Sequence, residues 1–346
     1  MTLHRQLLDA AVQRFAPRSD GLRGAAICIT GASGFMAASL LAFLSELDRF
    51  ADLKLRLYAN ARRPESEVRL LNFLRVAPEV EWTRSSVEDI DLPAADGLIV
   101  IHTASYGSPK DYLREPLATF SANTHALVRL LTQDRTLRQF VYFSSAEVYG
   151  QPPPDMIPTP ESYIGGVSTV EPRSIYAESK RMGEVLAVST AQRRQLPLTI
   201  IRPWNVYGPG QRLDDGRVPV EFIRQAKEGR RITLTSNGTP QRAFCHAWDA
   251  VAQIAATLGN PAPAAAFNVG NPSEEISILD LARACAAACE LPPDAVHYDR
   301  EARSVGLSRC APNVDAALRQ SGMPAAFTPL DSGLRTLIEW YDFRKR

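Results

Sequence analysis

The sequence lacks an excess of either charge, because 39 lysines and arginines are matched by 38 aspartates and glutamates for a formal net charge of +1. A chain with this balance has no electrostatic basis for binding nucleic acid, and no basic run indicates a membrane surface. Its 346 residues give room for one large domain or two moderate ones with an ample core.

Metal-binding patterns are also missing. No cysteine belongs to a CxxC pair, and the five histidines are scattered along the chain, so no metal site is predicted. We interpret the cysteines as small buried thiols in a reducing compartment, which predicts a cytoplasmic protein. The cysteines are Cys28, Cys245, Cys285, Cys289 and Cys310.

No apolar run is both long and uninterrupted. The segment AAICITGASGFMAASLLAFL, residues 25–44, is uncharged and has about the 20 residues that a membrane span needs. A Thr-Gly-Ala-Ser-Gly stretch interrupts it, so a strand, a tight turn and a helix are predicted there. The N-terminal LHRQLLDAAVQRF has helical apolar spacing but carries Arg5, Asp9 and Arg14, which argues against a signal peptide.

Short apolar runs alternate with amphipathic segments through the first 203 residues. This alternation is typical of a parallel sheet with helices on both faces, so we predict an α/β Rossmann fold with a doubly wound sheet. Such sheets bind ligands at the carboxyl ends of their strands. The predicted strands are residues 25–30, 53–59, 97–104, 139–145 and 198–203, and the predicted helices are 35–49, 64–76, 116–133 and 175–194.

The alternation ends after Pro203, which predicts a smaller C-terminal substrate-binding domain. Further predicted elements are helices at 218–229, 277–291 and 332–346 and a strand at 266–271. The predicted organisation is a helical extension at 1–24, a dinucleotide-binding domain at 25–207 with a strand at about 264–271, and the substrate domain at about 208–250 and 272–346.

The segment TGASGFMA follows the first predicted strand and opens a helix. Gly31 and Gly34, with Ala37 in third place, permit the tight turn through which a backbone approaches a pyrophosphate at a helix N-terminus. Strand, turn and helix together predict an NAD(P) site. Its predicted contacts in this segment are Gly31, Ala32, Ser33, Gly34, Phe35 and Met36.

At the adenosine end of that site, the residues do not distinguish clearly between NAD and NADP. A carboxylate for the ribose 2′-hydroxyl is expected near Ala59 or Asn60, and none is there. Arg62 and Arg63 follow and would suit a 2′-phosphate, although arginines on a solvated turn are equally common. NAD is the predicted cofactor, and NADP stays open.

The segment YAESK places Tyr176 and Lys180 four residues apart on one helix face. A nearby ammonium group and a positive nicotinamide ring would favour the phenolate form of Tyr176. Tyr176 is therefore a candidate general base for removing a hydroxyl proton. Ser145 ends the preceding strand, and its hydroxyl is positioned to bond the same substrate oxygen.

With these motifs the chain resembles the extended short-chain dehydrogenases/reductases of the nucleotide-sugar type, through TGASGFMA, HTAS, SSAEVYG, YAESK and RPWNVYGPG. The resemblance implies catalysis by Ser145, Tyr176 and Lys180. It also implies tightly held NAD, used for transient oxidation of a sugar hydroxyl. Other implied cofactor contacts are Asn60, Arg62, Ser86, Val87, Thr103, Ala104, Ser105, Asn123, Pro203 and Val206.

A narrower resemblance connects residues 213–251, PRSIYAESKR and SRCAPNVDAAL to UDP-glucuronate decarboxylases. It implies a UDP-sugar substrate. The broader family resemblance implies a homodimer formed through a helix bundle that contains the Tyr176 helix. The implied substrate contacts are Glu147, Asn205, Arg217, Val218, Arg242 and Arg309.

Glu147 stands where the related decarboxylases and 4,6-dehydratases carry an acidic residue, so a catalytic role is expected for it. Ala146 replaces the aspartate that protonates the departing hydroxyl in dTDP-glucose-type dehydratases, which weakens dehydration. We therefore rank decarboxylase-like or dehydratase-like chemistry above 4-epimerisation. An NADP-dependent sugar oxidoreductase and a non-catalytic dinucleotide sensor are competing hypotheses.

Overall fold

The structure is a computed structural model that describes residues 2–64, 68–76, 79–259, 265–299, 301–302 and 308–345. The described strands are β1 (Ala26–Thr30), β2 (Arg56–Asn60), β3 (Val80–Thr83), β4 (Leu98–His102), β5 (Leu137–Phe143), β6 (Leu198–Pro203), β7 (Val206–Tyr207), β8 (Ile232–Thr233), β9 (Gln241–Ala243), β10 (Cys245–His246), β11 (Ala265–Val269), β12 (Glu275–Ser277), β13 (Val296–His297) and β14 (Arg309–Cys310). The described α-helices are α1 (Leu3–Phe15), α2 (Phe35–Ala51), α3 (Arg69–Leu74), α4 (Pro109–Arg114), α5 (Pro116–Asn123), α6 (His125–Thr132), α7 (Ser174–Arg194), α8 (Val220–Gly229), α9 (Ala247–Ala255), α10 (Ile278–Ala288), α11 (Asp315–Ser321) and α12 (Leu330–Lys345).

Seven of these strands form one parallel sheet in the order β11-β6-β5-β4-β1-β2-β3. Every residue of β1 and β4 is buried, as expected for central strands covered on both faces. The chain winds outwards from β1 through β2 to β3 and then crosses back to β4. The carboxyl ends of β1 and β4 therefore flank the switch point at which doubly wound sheets bind ligands.

Alternate side chains of β1 enter two separate cores. Ile27 and Ile29 pack into the core with α1, α2 and α9, whereas Ala26 and Cys28 pack on the opposite face with α6 and α7. This follows from the two-residue period of a strand. The predicted Rossmann fold is confirmed.

A third apolar core joins α8, α10 and α12, with Phe222, Ile223, Leu281, Leu334 and Leu337 buried in it. Not all of the C-terminal half belongs to this core. Helices α9 and α11 pack against the large sheet, and α11 contacts β11 directly. The range predicted for the second domain, 272–346, therefore includes helix α11, which covers the large sheet. The buried Ala317 of α11 belongs to the core on that sheet.

Several elements differ from the sequence prediction. The helix predicted at 116–133 is broken at Thr124, whose φ of −126° is not helical and whose hydroxyl bonds the Phe120 carbonyl. Strand β3 was not predicted, because its half-exposed residues lack a long apolar run. Of the helix predicted at 64–76, α3 is the described part, and residues 65–67 lie outside the described residues.

Two further findings concern the composition. All five cysteines are free, and four of them are buried. Within the described ranges, no helix combines the length and apolar character that crossing a membrane requires, and no three His, Cys, Asp or Glu side chains meet in a metal-type cluster.

Helix α7 packs unusually closely on β5 at Gly183. A Cβ atom at this position would clash with Tyr142 Oη and lie 2.8 Å from the Asn123 carbonyl oxygen. Gly183→Ala should therefore destabilise the fold by about 1–3 kcal/mol, the usual cost of overpacking a core. The measurement is the free energy of unfolding in urea.

Gly229→Ala is the matched control for this prediction. Gly229 is the last residue of α8, and the atom nearest to an added Cβ is Arg231 Cγ at 3.9 Å. This variant should be at least as stable as the parent protein, because alanine is favoured over glycine in helices. Equal stability of the Gly183→Ala and Gly229→Ala variants would contradict the close packing of α7.

Candidate functional site

The turn between β1 and α2 brings backbone close to the end of β4. Gly31 has a φ of +68°, and a Cβ there would lie 2.7 Å from Ala104 Cα, so only glycine fits. Gly34 precedes the first residue of α2 with an extended backbone. Ala32 N donates to the Asn60 carbonyl at 2.9 Å, which fixes the turn against the end of β2. The result is a helix N-terminus open to an anionic group.

Three buried polar atoms around this edge have no hydrogen-bond partner among the described residues. They are Ser105 Oγ after β4, Ser144 Oγ after β5 and Asn123 Oδ1 at the end of α5. Buried polar groups are normally satisfied, so these atoms are suited to a polar ligand. Together with the glycine turn, they fit a dinucleotide lying across the carboxyl ends of β1, β4 and β5.

Ser145, Tyr176 and Lys180 meet where β5 ends against α7. The Ser145 side chain lies next to the buried Tyr176 hydroxyl, and its Oγ accepts from the Glu147 amide at 3.2 Å. Lys180 is buried one helical turn beyond Tyr176, and its Nζ donates to the Phe143 carbonyl at 2.5 Å. Helical spacing thus brings the two α7 side chains to the strand end that carries the serine.

The protonation of this group differs from the expectation. Burial, followed by the negative charge of Glu147, raises the pKa of Tyr176 to about 12. Burial also lowers the pKa of Lys180 to about 7. The expected lowering of the Tyr176 pKa by the lysine was therefore wrong for the protein alone, because desolvation disfavours both charged forms.

Glu147 lies on a single 3-10 turn, Ala146–Tyr149, directly after Ser145. Its side chain is half-buried, and burial raises the pKa of its carboxyl group. Arg173 and Arg217 counter that effect, with Arg173 Nη2 lying 3.8 Å from Glu147 Oε2. The site thus contains a carboxyl group with a raised pKa next to a buried tyrosine, a combination that occurs often in active sites.

Tyr112 is a site residue that the sequence analysis missed. Its ring is fully buried and stacks on Tyr176, with ring centroids 5.1 Å apart and an interplanar angle of 10°. Arg173 Nη2 lies 3.4 Å from the Tyr112 hydroxyl and so connects Tyr112 with Glu147. The only sequence signal was that Tyr112 follows the end of β4, where binding residues concentrate.

A buried polar network holds the Glu147 turn from behind. Tyr149, the last residue of that turn, donates to Asn268 Oδ1 at 2.8 Å and accepts from Arg202 Nη1 at 2.8 Å. Arg202 also forms two hydrogen bonds to Glu184 on α7, at 2.9 and 2.6 Å. The network therefore fixes the turn carrying Glu147 relative to the helix carrying Tyr176.

The predicted substrate residues fall into two groups. Asn205 and Arg242 lie together, because Asn205 Nδ2 donates to Ala243 O at 3.1 Å and approaches Cys310 Sγ at 3.8 Å. Asn205 adopts a positive φ of 39°, a backbone state found often at functional sites. Arg217 forms the second group and is close enough for its positive charge to act on Glu147 and Tyr176. Val218, the next residue, is half-buried.

Arg309 is paired with a carboxylate of the protein. Its guanidinium forms hydrogen bonds of 2.5 and 2.6 Å with the Glu275 carboxylate and also donates to the Ile157 carbonyl at 3.3 Å. Arg217 is likewise paired with its neighbour Asp215, at 2.6 Å. A negatively charged substrate group would have to compete with Glu275 for Arg309.

The remaining predicted cofactor residues lie at strand ends. Thr103 Oγ1 donates to the Thr30 carbonyl at 2.6 Å between β1 and β4. Ser86 Oγ bonds Glu88, next to the buried Val87 beyond β3. Pro203 ends β6, and Val206 opens β7. All of them lie at the carboxyl edge of the sheet, where the glycine turn is found.

Comparison with known proteins places this architecture in a family. Residues 27–270 match the model of the NAD dependent epimerase/dehydratase family. The chain is 33% identical over 185 residues to UDP-glucuronic acid decarboxylase 1 of Xenopus tropicalis, a match that covers 53% of this chain but only 43% of that protein. It is 30% identical over 257 residues to UDP-glucuronic acid decarboxylase 5 of Arabidopsis thaliana, covering 74% of this chain and 72% of the relative.

Solved structures have the same fold at low identity. A UDP-glucose 4-epimerase from Thermotoga maritima, solved with UDP-glucose, superposes with a TM-score of 0.76 at 18% identity, covering 93% of this chain and all of that one. A UDP-glucuronic acid 4-epimerase from Bacillus cereus, solved with UDP-glucuronic acid and NAD, gives 0.73 at 20% identity, covering 92% and 99%. The protein described here belongs to the NAD dependent epimerase/dehydratase family.

Proposed function

We propose that this protein modifies a nucleotide sugar by transient oxidation at C4, with a bound nicotinamide dinucleotide, and that it removes the carboxylate of a UDP-glucuronate-like substrate. The observation that carries the proposal is the meeting of Ser145, Tyr176 and Glu147 at one strand end. The named relatives support the reaction, since both relatives compared in sequence above are UDP-glucuronic acid decarboxylases.

Each side chain has a task in this scheme. When bound, the dinucleotide supplies a hydride acceptor with a positively charged ring that returns the hydride at the end of the cycle. Tyr176 Oη holds and moves the proton of the C4 hydroxyl, while Ser145 hydrogen-bonds the same oxygen. Lys180 lies one helical turn beyond Tyr176 and donates from Nζ to the Phe143 carbonyl. Glu147 lies beside them and is suited to move a proton at the sugar ring.

Electrostatics around Glu147 favour an anionic sugar. Arg173 and Arg217 both act on Glu147, and Arg173 is 64% exposed on its side chain, so its guanidinium can also reach a ligand. Arginine matches a carboxylate or a phosphate through its planar fork. Ala146 has no proton to give, so loss of CO₂ suits the site better than loss of a hydroxyl group.

A second candidate is 4-epimerisation of a UDP-sugar. The observation that favours it is the commitment of Arg309 to Glu275, which leaves this arginine neutralised. An epimerase needs only the C4 proton transfer and a sugar free to rotate. Glu147 would then have no catalytic role.

One incubation separates these candidates. Purified protein is mixed with UDP-glucuronate and catalytic NAD or, in a parallel sample, catalytic NADP, and the products are analysed by mass spectrometry and NMR. Loss of the mass of CO₂ supports decarboxylation, and an isomer of equal mass supports epimerisation. Recovery of every member of a panel of UDP-, GDP-, CDP- and dTDP-sugars unchanged would reject the proposed function.

We further propose that the protein is a homodimer that pairs α5 and α7 with their copies. Four apolar side chains on these helices face solvent: Leu117 is 82% exposed, Val185 61%, Met182 47% and Phe120 37%. The two helices pack on each other, so the side chains lie on one outer surface. Clustered apolar exposure of this kind marks an interaction site.

Val185→Asp should convert the dimer to a monomer, because it places a charge on the exposed apolar surface of the proposed interface. Light scattering after size-exclusion chromatography measures the mass. Phe50→Asp is the control, since Phe50 is 56% exposed at the far end of α2. If the parent protein is already monomeric at micromolar concentration, the proposed interface is wrong.

We propose a cytoplasmic location on the basis of the free cysteines. Five free thiols, of which four are buried, suit a compartment that keeps thiols reduced. Fractionation of the native source with detection of the protein tests this location.

A further inference from the structure

The end of β2 lacks the group that binds an adenosine ribose in NAD-dependent Rossmann proteins. The chain has Asn60 there, where a carboxylate would accept from the 2′-hydroxyl. Asn60 is only 2% exposed, and its Nδ2 donates to Ser85 Oγ at 2.9 Å and to the Ser85 carbonyl at 3.3 Å. The amide therefore faces the end of β3 and is committed to protein partners.

Positive charge takes the place of the missing carboxylate. Arg62 lies two residues beyond β2, and its guanidinium stands over the Tyr106 ring, 5.6 Å from the centroid, with Nη1 3.2 Å from the Tyr106 hydroxyl. Tyr106 follows the HTAS segment that ends β4, so Arg62 spans the opening between β2 and β4. This opening adjoins the glycine turn, since the Asn60 carbonyl accepts from Ala32 N.

Two more arginines reinforce this charge. Arg63 follows in the sequence with an exposed side chain, and Arg84 Nε donates to the Arg62 carbonyl at 3.3 Å. Among the residues described, no carboxylate forms an ion pair with Arg62, Arg63 or Arg84. The adenosine end of the site thus carries a cluster of cations that the described structure leaves unneutralised.

We propose that this cluster, Arg62, Arg63 and Arg84, binds the 2′-phosphate of NADP and that the protein prefers NADP to NAD. The proposal rests on the dinucleotide site of the proposed function and specifies its cofactor. A phosphate monoester carries up to two negative charges and three acceptor oxygens, which the forked guanidinium groups match. The 2′-hydroxyl of NAD finds no carboxylate acceptor at this position.

Arg62 is already oriented for this role. Cation–π contact and the Tyr106 hydroxyl restrict its side chain, so less rotamer freedom is lost when a phosphate binds. One charge-assisted interaction of this kind corresponds to about a 10- to 100-fold difference in affinity. That difference should shrink as salt is added, because exposed charges are screened.

Small adenosine ligands test the proposal without any reaction. Calorimetric titration compares adenosine 2′,5′-bisphosphate with adenosine 5′-monophosphate, using protein freed of bound nucleotide. We expect the bisphosphate to bind about 10- to 100-fold more tightly. Nucleotide released from freshly purified protein and separated against NAD and NADP standards gives a second measurement, in which NADP should predominate.

Variants locate the effect. Arg62→Ala should remove most of the preference for the bisphosphate and leave monophosphate affinity unchanged. Arg56→Ala is the matched control, because Arg56 is an exposed arginine at the opposite end of β2.

The outcomes are distinguishable from failure of the proposed function. Equal affinity for the two ligands, or a released nucleotide that is mostly NAD, would overturn the 2′-phosphate site and leave the dinucleotide site standing. Failure of both ligands to bind would overturn the cofactor site itself and the proposed function with it.

Discussion

Replacing Tyr176 by phenylalanine should reduce turnover of UDP-glucuronate by about 10²–10⁴-fold, the usual contribution of a positioned acid–base group. The substitution removes one oxygen, and the ring can keep its stack on Tyr112 at 5.1 Å. Folding and binding of adenosine ligands should therefore be unchanged. The measurement is kcat from the rate of product formation, together with the midpoint of urea unfolding.

The pH dependence of the parent protein belongs to the same prediction. Burial raises the pKa of Tyr176 to about 12, so the hydroxyl is protonated at neutral pH unless a bound cation lowers its pKa. The rate should rise with pH until the phenolate forms in the complex, and Tyr176→Phe should abolish that rise. Tyr58→Phe, on β2 and away from the site, is the control. Undiminished turnover in the Tyr176→Phe variant would remove this residue from the mechanism.

Most of the fold was predictable because its signals are local. The run from β1 through the glycine turn to α2 follows from an apolar strand, two glycines and an apolar helix within 26 residues of sequence, 26–51. The ends of α7 and α12 were also predictable, from helical spacing. The break at Thr124 was not predictable from the sequence, because it depends on how α5 and α6 pack on the sheet.

The candidate site was predictable as far as its motifs extend. Ser145, Glu147, Tyr176 and Lys180 belong to short patterns, and parallel strand ends bring such patterns to one edge. Tyr112 belongs to no pattern, because its stack on Tyr176 joins residues 64 positions apart in the sequence numbering. The pairing of Arg309 with Glu275 is also long-range and depends on how β12 and β14 flank β9.

Glu147→Gln should lower the rate of CO₂ release from UDP-glucuronate by about 10²-fold or more, because a positioned proton-transfer group is lost. The affinity for UDP-glucuronate should increase, although the rate falls. Glu147 is a half-buried carboxylate, and removing its charge relieves repulsion of an acidic sugar, so UDP-glucuronate should bind more tightly and UDP-glucose equally well. The two measurements are single-turnover rates and calorimetric Kd values.

Glu178→Gln is the control for this variant. Glu178 is an exposed carboxylate on α7 that pairs with Arg181 at 3.6 Å, so its removal changes the net charge equally without touching the site. Glu147→Gln with full decarboxylase activity would leave Glu147 as a structural residue of the 3-10 turn. Loss of affinity for both sugars would instead indicate that the turn had collapsed.

The positive charge of Arg173 next to Glu147 predicts how activity depends on pH. Burial raises the pKa of the Glu147 carboxyl group, and Arg173, 3.8 Å away, holds that rise in check. Activity that requires the ionised form is lost as pH falls through this pKa. Arg173→Gln removes the positive charge, raises the pKa of Glu147 further and should move the acid limb of the kcat/KM profile to higher pH. Arg193→Gln, which removes an exposed arginine in the last turn of α7, should leave the limb in place. An acid limb unmoved by Arg173→Gln would mean that a group other than Glu147 controls it, because an ion pair lost next to the titrating carboxyl group must shift its pKa.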